Sequence, residues 1–207
     1  MKNVIIGVVV STLLFIGLGW LMVGRTPELK TVEFTFSENE NIAGNASASA
    51  TLVEFSDFEC PACASYSYMV NQLKQDLGDK VRIIYRHFPL RSIHDNAQLA
   101  GQAAQAAGNQ EMFWQMHDKL FENQISWSEL DNPEETFIGY AEELELDIEK
   151  FKTDLHSQEV EDKVNSDYQS GIQAGVNSTP SFYLNGLKLQ NPGSYETFKQ
   201  LIEQNLE

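Results

Sequence analysis

The feature that most constrains this chain is Cys60-Pro61-Ala62-Cys63, which stands where an apolar run ends and a helical pattern begins, and which holds both cysteines of the 207-residue sequence. Any sulfur chemistry must therefore take place between these two thiols. Two intervening residues on the first turn of a helix bring the sulfurs close enough to close a small disulfide ring without moving distant backbone. Upstream, Thr51-Leu52-Val53-Glu54-Phe55 reads as a buried strand, and Ala64 to Leu77 carries apolar residues at helical spacing. Cys60 is then expected at a helix N-terminus, where open N–H groups and the helix dipole favour a thiolate, with Pro61 suited to the first turn. Cys63, one turn further in, is the expected resolving thiol. Asp57 and Glu59 place negative charge beside Cys60 and oppose the dipole, so the direction of its pKa is not settled by sequence.

Two other readings of the pair stay open at this point. A structural disulfide is one, although so short a loop removes little entropy from the unfolded chain. The other is half of a copper or zinc site completed from the four histidines, although no second Cys pair or His-x3-His follows.

The chain begins with Lys2 and an uncharged run of twenty residues, Val4 to Val23, long enough to cross a bilayer as a helix. Residues 1–25 are expected to be a membrane anchor, with a cleaved signal peptide as the alternative. Thr31 to Phe36 alternates polar and apolar and suggests a short, half-buried strand, whereas Ser37 to Ala50 is rich in Ser, Asn, Ala and Gly and reads as a flexible tether, so residues 26–49 form a strand and linker. From residue 50 to 207 the chain is long enough for one domain with a sizeable core. Val81 to Arg86 is a second strand, giving a β-α-β unit through the Cys60 helix. A helical stretch from about residue 93 to 175 follows, with four or five helices expected, among them Ala97–Ala107, Met112–Phe121, Glu134–Leu146 and Ser157–Ala174. Ser181–Leu184 and Leu187–Leu189 form a hairpin about Asn185-Gly186, and a last helix runs from Ser194 to Gln204.

That order of elements is α/β, a thioredoxin-like sheet with a helical insertion, preceded by the expected transmembrane helix. Residues 50–207 resemble the DsbA-like thiol:disulfide oxidoreductases of bacteria, in their membrane-anchored or exported Gram-positive branch. The resemblance rests on Phe58-Glu59-Cys60-Pro61-Ala62-Cys63, Arg86-His87-Phe88-Pro89-Leu90, Phe113-Trp114 with Met116-His117-Asp118 and Leu120-Phe121, and Ser178-Thr179-Pro180 leading into Ser181 to Gly186. It implies that Cys60 is the attacking thiol and Cys63 its buried partner. It implies that Thr179-Pro180 is a cis-proline loop facing the dithiol, with the Thr179 backbone pairing to an extended substrate. It also implies that Glu54 lies beneath Cys63; a carboxylate among apolar neighbours should have a raised pKa and relay the Cys63 proton, unless strand alternation turns it to solvent. The chain departs from the strongly oxidising relatives at Ala62, where they carry histidine, which implies a weaker oxidant. Thr before the proline occurs in oxidases, isomerases and reductases alike and does not choose among them.

Two of the 14 basic residues, Lys2 and Arg25, precede residue 26, which leaves 12 against 30 acidic residues beyond it, a net charge of −18. Nucleic acid is not an expected ligand, because phosphate binding needs clustered Lys and Arg. The acids concentrate in Glu134 to Glu161 without an Asp-x-Asp-x-Asp-Gly calcium loop, and read as a solvated face. His87 and His94 flank the loop after the second strand, His117 looks like packing, and His156 has no visible role. The function expected from all this is an extracytoplasmic enzyme, without cofactor or metal, that introduces disulfides into reduced exported proteins and is recycled by a quinone-linked membrane protein of the DsbB type. Reduction or isomerisation of disulfides, and metal delivery, are the alternatives.

Overall fold

The computed structural model describes residues 31–206. The apolar run expected to be an anchor lies outside the described residues. Among those described, no helix is long and apolar enough to cross a membrane.

A five-stranded sheet in the order β1-β3-β2-β4-β5 carries the domain. Its strands are β1 (Asn41–Gly44), β2 (Ala50–Ser56), β3 (Val81–His87), β4 (Ser181–Leu184) and β5 (Leu187–Lys188). The central pair, β2 and β3, is parallel and runs from Ala50 opposite Val81 to Ser56 opposite His87. Helix α1 (Pro61–Leu77) makes the crossover between them, as a parallel pair requires. The other pairings are antiparallel. Because side chains alternate along a strand, this register sorts the central residues into two rows. Leu52, Glu54 and Ser56 share one face with Ile83, Tyr85 and His87. Val53 and Phe55 share the other with Ile84 and Arg86.

The first face is covered by α1 and by α8 (Tyr195–Glu203), which pack Val70, Leu73, Leu77, Phe198 and Ile202 on Leu52, Ile83 and Phe182. Between β3 and β4 six helices intervene: α2 (Ala97–Gly108), α3 (Phe113–Glu122), α4 (Gln124–Trp127), α5 (Glu134–Glu143), α6 (Ile148–Leu155) and α7 (Gln158–Ala174). The alanines of α2 let its neighbours approach closely, and they share a core with Met116, Leu120, Trp127, Phe137, Phe151 and Leu155 that reaches Phe58 and Cys63. On the second face α7 lies so near the sheet that a Cβ on Gly171 would meet Phe88 at 2.5 Å. Asn185 and Gly186, both at positive φ (50° and 82°), make the tight turn between β4 and β5 that the Asn-Gly pair predicts.

Three sequence expectations are corrected. Thr31 to Phe36 is not a regular strand: only Thr31 bridges to Leu187 and Val32 N–H donates to Gly186, while Phe34 packs edge-on to Tyr183. The expected tether contains β1, which owes its order to β3, to the Asn41–Gln105 side-chain bond and to Trp114 Nε1 donating to the Ile42 carbonyl. The helical stretch has six helices rather than four or five, because α4 is a single turn and α6, capped by Asp147 on Lys150 N–H, was not resolved from its neighbours.

Candidate active site

Cys60 is the N-cap of α1, and it brings no capping oxygen. The first turn of a helix leaves N–H groups without intrahelical partners. Those of Ala62 and Cys63 therefore turn to the Cys60 sulfur and favour its anion. Pro61, at the first helical position, has no N–H to leave unsatisfied. The Cys60 pKa falls from 9.0 to about 5, with the Cys63 thiol the largest cause, followed in the same direction by the Thr179 hydroxyl and the two backbone groups. Burial opposes the shift and does not overcome it. Asp57 and Glu59, expected to oppose it too, are engaged elsewhere. Asp57 accepts from the N–H groups of Glu59 (2.7 Å) and Leu90 (2.8 Å) and pairs with His94 Nδ1 (2.7 Å), and Glu59 accepts from Asn96 N–H (2.8 Å).

Cys63 has the opposite surroundings. It is 0% exposed, against 7% for Cys60, and burial followed by the adjacent Cys60 sulfur holds its pKa well above 9.0. Both thiols are free in this structure. Only one of the two sulfurs is open to a partner, and it is the acidic one.

The Thr179–Pro180 peptide bond is cis and faces the dithiol. The Cys60 thiol donates to the Thr179 carbonyl at 3.6 Å, while the Thr179 hydroxyl is buried and unpartnered. That hydroxyl is free to donate once Cys60 loses its proton. Glu54 stands in the sheet between Tyr85 and Phe182, 1% exposed, rather than turned to solvent, and the Ser56 hydroxyl lies near both it and Cys63. Neither of its oxygens has a hydrogen-bond partner, and burial raises its pKa from 4.5 to about 7.

Sequence reasoning missed the groups around Glu54. The Ser56 hydroxyl makes no hydrogen bond of ordinary geometry, yet it is near enough to Glu54, Cys63 and Tyr85 to lower the pKa of each. The Tyr85 hydroxyl is also unpartnered, and both sit in the Glu54 row of the sheet. A period-two reading of β2 and β3 in parallel register would have placed them there. Gln124, the third residue missed, donates from Nε2 to the carbonyls of Phe58 (2.6 Å) and Cys60 (3.0 Å); nothing in its sequence neighbourhood marks it.

The histidines lie apart from the sulfur chemistry. Burial lowers the His87 pKa to about 3, which leaves that ring neutral at pH 7, and it also lowers that of His117. His94 holds Asp57 and His156 faces Glu134. Among the described residues no three Cys, His, Asp or Glu side chains are gathered as a metal ion would need.

This geometry has relatives. The Na(+)/H(+) antiporter NhaA of Herminiimonas arsenicoxydans is 35% identical over 205 residues, covering 94% of this chain and 31% of the antiporter. The chain spans about a quarter to a third of the curated relatives it matches, 31%, 23% and 33% in three of them. Among solved structures, BdbD from Bacillus subtilis superposes with a TM-score of 0.73 at 24% identity, covering 86% of this chain and 98% of BdbD. Wolbachia pipientis alpha-DsbA1 gives 0.73 at 20% identity, covering 84% and 94%. The sequence profile described as Thioredoxin matches residues 37–204, which take in the sheet, the dithiol and the helical insertion together. A match of that extent means that the chain belongs to the thioredoxin family, and its fold is that of the DsbA-like thiol-disulfide oxidoreductases.

Proposed function

We propose that the chain is a membrane-tethered thiol:disulfide oxidoreductase that acts outside the cytosol and introduces disulfides into reduced exported proteins. The observation that carries this reading is the opposite setting of the two sulfurs: Cys60 reachable with a pKa near 5, Cys63 sealed with a raised one. In the oxidising direction a substrate thiolate attacks the Cys60 sulfur of the disulfide. The Cys60–Cys63 bond breaks, a mixed disulfide forms, and Cys63 leaves with the electron pair. Its high pKa makes it take up a proton, and Glu54, which holds one up to about pH 7, is the group that can supply it. A second substrate thiolate then attacks the substrate sulfur of the mixed disulfide, and Cys60 departs as a stable thiolate. Two electrons pass from the substrate dithiol to the protein.

A stabilised thiolate favours the reduced protein and so makes its disulfide the more oxidising. At pH 7 a Cys60 pKa near 5 raises the potential by up to about 60 mV over an unperturbed pair, a ceiling because solvent screens the part of the sulfur it reaches. Ala62 contributes only a backbone N–H where a histidine would add a positive charge, which limits the gain. The tether is supported by the apolar run Val4–Val23 and by alignment to curated relatives named as antiporters over nearly the whole chain. The reduced enzyme needs an oxidant, and a quinone-linked membrane protein of the DsbB type is the partner we propose.

The test is the reduction potential of the Cys60–Cys63 pair in the full-length chain, equilibrated against glutathione buffers. A value more oxidising than about −180 mV is expected. A value near about −270 mV would turn the reading to a reductase, and a pair that forms no disulfide would overturn it.

A further inference from the structure

We propose that Gln124 is a positioning residue of the dithiol: its side-chain amide holds the Phe58 and Cys60 carbonyls and thereby stabilises the Cys60 thiolate. The proposal rests on the thiol–disulfide exchange proposed above and assigns part of its driving force to the helical insertion.

The placement follows from how α4 is built. Residues three apart on a helix share a face, so Gln124 and Trp127 point inward together while Ile125 is 88% exposed. Trp127 is fully buried, donates from Nε1 to the Leu120 carbonyl at 2.8 Å and packs edge-on to Phe137. That anchor fixes the turn and delivers the Gln124 side chain, 7% exposed, to the backbone of the Cys60 turn with little freedom left to lose. Its Nε2 meets the Phe58 carbonyl at 2.6 Å and the Cys60 carbonyl at 3.0 Å.

Those carbonyls matter because of what surrounds them. The turn from Asp57 to Cys60 carries two carboxylates, and each is served by backbone N–H groups: Leu90 and Glu59 for Asp57, Asn96 for Glu59. Its carbonyl oxygens carry further negative partial charge. The Cys60 carbonyl belongs to the reacting residue itself and accepts only one helical bond, from Ala64 N–H at 3.1 Å. An amide donor placed on both carbonyls withdraws negative potential from beside the sulfur without introducing a titrating group. The strongly acidic turn and the low thiol pKa are then compatible: the carboxylates are bound from one side and the carbonyls from the other.

The alternative is that Gln124 only staples the insertion to the sheet domain. Thiolate ionisation separates the two. In the full-length reduced protein, the ultraviolet absorbance of the Cys60 thiolate is titrated for the wild type, for Gln124→Met, which keeps the length of the side chain without its donors, and for Gln124→Glu, which keeps its shape and reverses its dipole. We expect Gln124→Met to raise the midpoint by about half to one unit. The glutathione equilibrium at pH 7 should then move about three- to tenfold toward the disulfide, or about 15–30 mV more reducing. Gln124→Glu should raise the midpoint further. A melting temperature that falls while both midpoints and the redox equilibrium stay at the wild-type values would overturn the proposal and leave a staple. Should Gln124→Met not fold, Gln124→Leu takes its place, since an unmoved or lowered midpoint without the amide donor contradicts the electrostatic role. A wild-type midpoint near about 8.5 would instead remove the exchange reading itself, and this inference with it.

Discussion

Tyr85 and Arg86 are neighbours on β3, and they face two kinds of buried polar cluster. On the Arg86 side everything is paired. Its guanidinium donates to Glu40 at 2.6 and 3.3 Å, to the Thr35 carbonyl at 2.7 Å and to the Ser170 hydroxyl at 3.2 Å, and Lys163 reaches Asp167 at 2.6 Å. On the Tyr85 side almost nothing is. Both Glu54 oxygens and the Ser56 and Tyr85 hydroxyls are buried without partners. A buried polar group left unpaired costs about 1–3 kcal/mol, more when it is charged. The paired cluster secures the segment from Thr35 to Glu40 against α7, which is a structural task. The unpaired one includes Glu54, the proton donor to Cys63 in the proposed reaction; a carboxyl with its full complement of donors would stay ionised and could not serve as that acid. One strand thus separates a fully paired polar cluster from an unpaired one, and the proposed proton transfer would use the second.

The largest expected effect tests the paired side. Arg86→Ala leaves the Glu40 carboxylate with the Ser37 N–H at 3.3 Å and Lys163 at 3.9 Å but without its guanidinium, and should cost about 3 kcal/mol in urea unfolding while leaving the Cys60 pKa in place. A loss below about 1 kcal/mol would erase the contrast. Glu54 tests the other side with the opposite sign. The folded carboxyl keeps its proton up to about pH 7, whereas the unfolded one releases it near 4.5, so between these values the folded chain binds more protons and stability must fall as pH rises, levelling off above about 7. The difference is about 3 kcal/mol. Glu54→Gln should remove that slope, making the variant the more stable at pH 8, and should slow release of Cys63 from a mixed disulfide. Parallel stability curves for the two proteins across this range would show that Glu54 titrates normally.

The asymmetry between the clusters also explains how much was legible in the sequence. Cys60 and Cys63 announce themselves by spacing, and β2, α1, β3 and the Asn185-Gly186 hairpin follow from period and turn chemistry that tertiary contacts reinforce. Glu54 was legible as an anomaly, a carboxylate in an apolar strand. Its partners in position, Ser56 and Tyr85, look like ordinary strand residues and acquire meaning only when β2 and β3 are set in register. β1 was illegible because Asn41-Ile42-Ala43-Gly44 has little strand propensity of its own; β3, Gln105 and Trp114 impose its shape. Gln124 was illegible for the same reason, since its role depends on Trp127 anchoring a single helical turn. The direction of the Cys60 pKa stays unsettled in the sequence because Asp57 and Glu59 are near, and sequence does not show that backbone N–H groups already hold them.

Two smaller effects sharpen the contrast. Thr179→Val removes a hydroxyl that has no partner beside the thiol and becomes a donor to the thiolate. Below about pH 5, where Cys60 is protonated, the reduced protein should keep its stability, and the Cys60 midpoint should rise by about half a unit in a thiolate titration. An unmoved midpoint would restrict Thr179 to its backbone carbonyl.

The smallest effect belongs to the residue beside Arg86. Tyr85 is fully buried, stacked on Phe58 at 5.1 Å and set edge-on to Trp114 and His117, and these contacts use its ring, not its hydroxyl. Tyr85→Phe retains the ring and removes an oxygen that is buried without a partner, so it should raise stability by about 0.5 kcal/mol, most clearly below about pH 7, where Glu54 is protonated and carries no charge for the hydroxyl to serve. Two adjacent positions on one strand would then respond with opposite signs to loss of a polar group. A destabilisation of more than about 1 kcal/mol would instead mean that the hydroxyl has a partner, and that the groups around Glu54 form a hydrogen-bonded network rather than a reserve of unpaired ones.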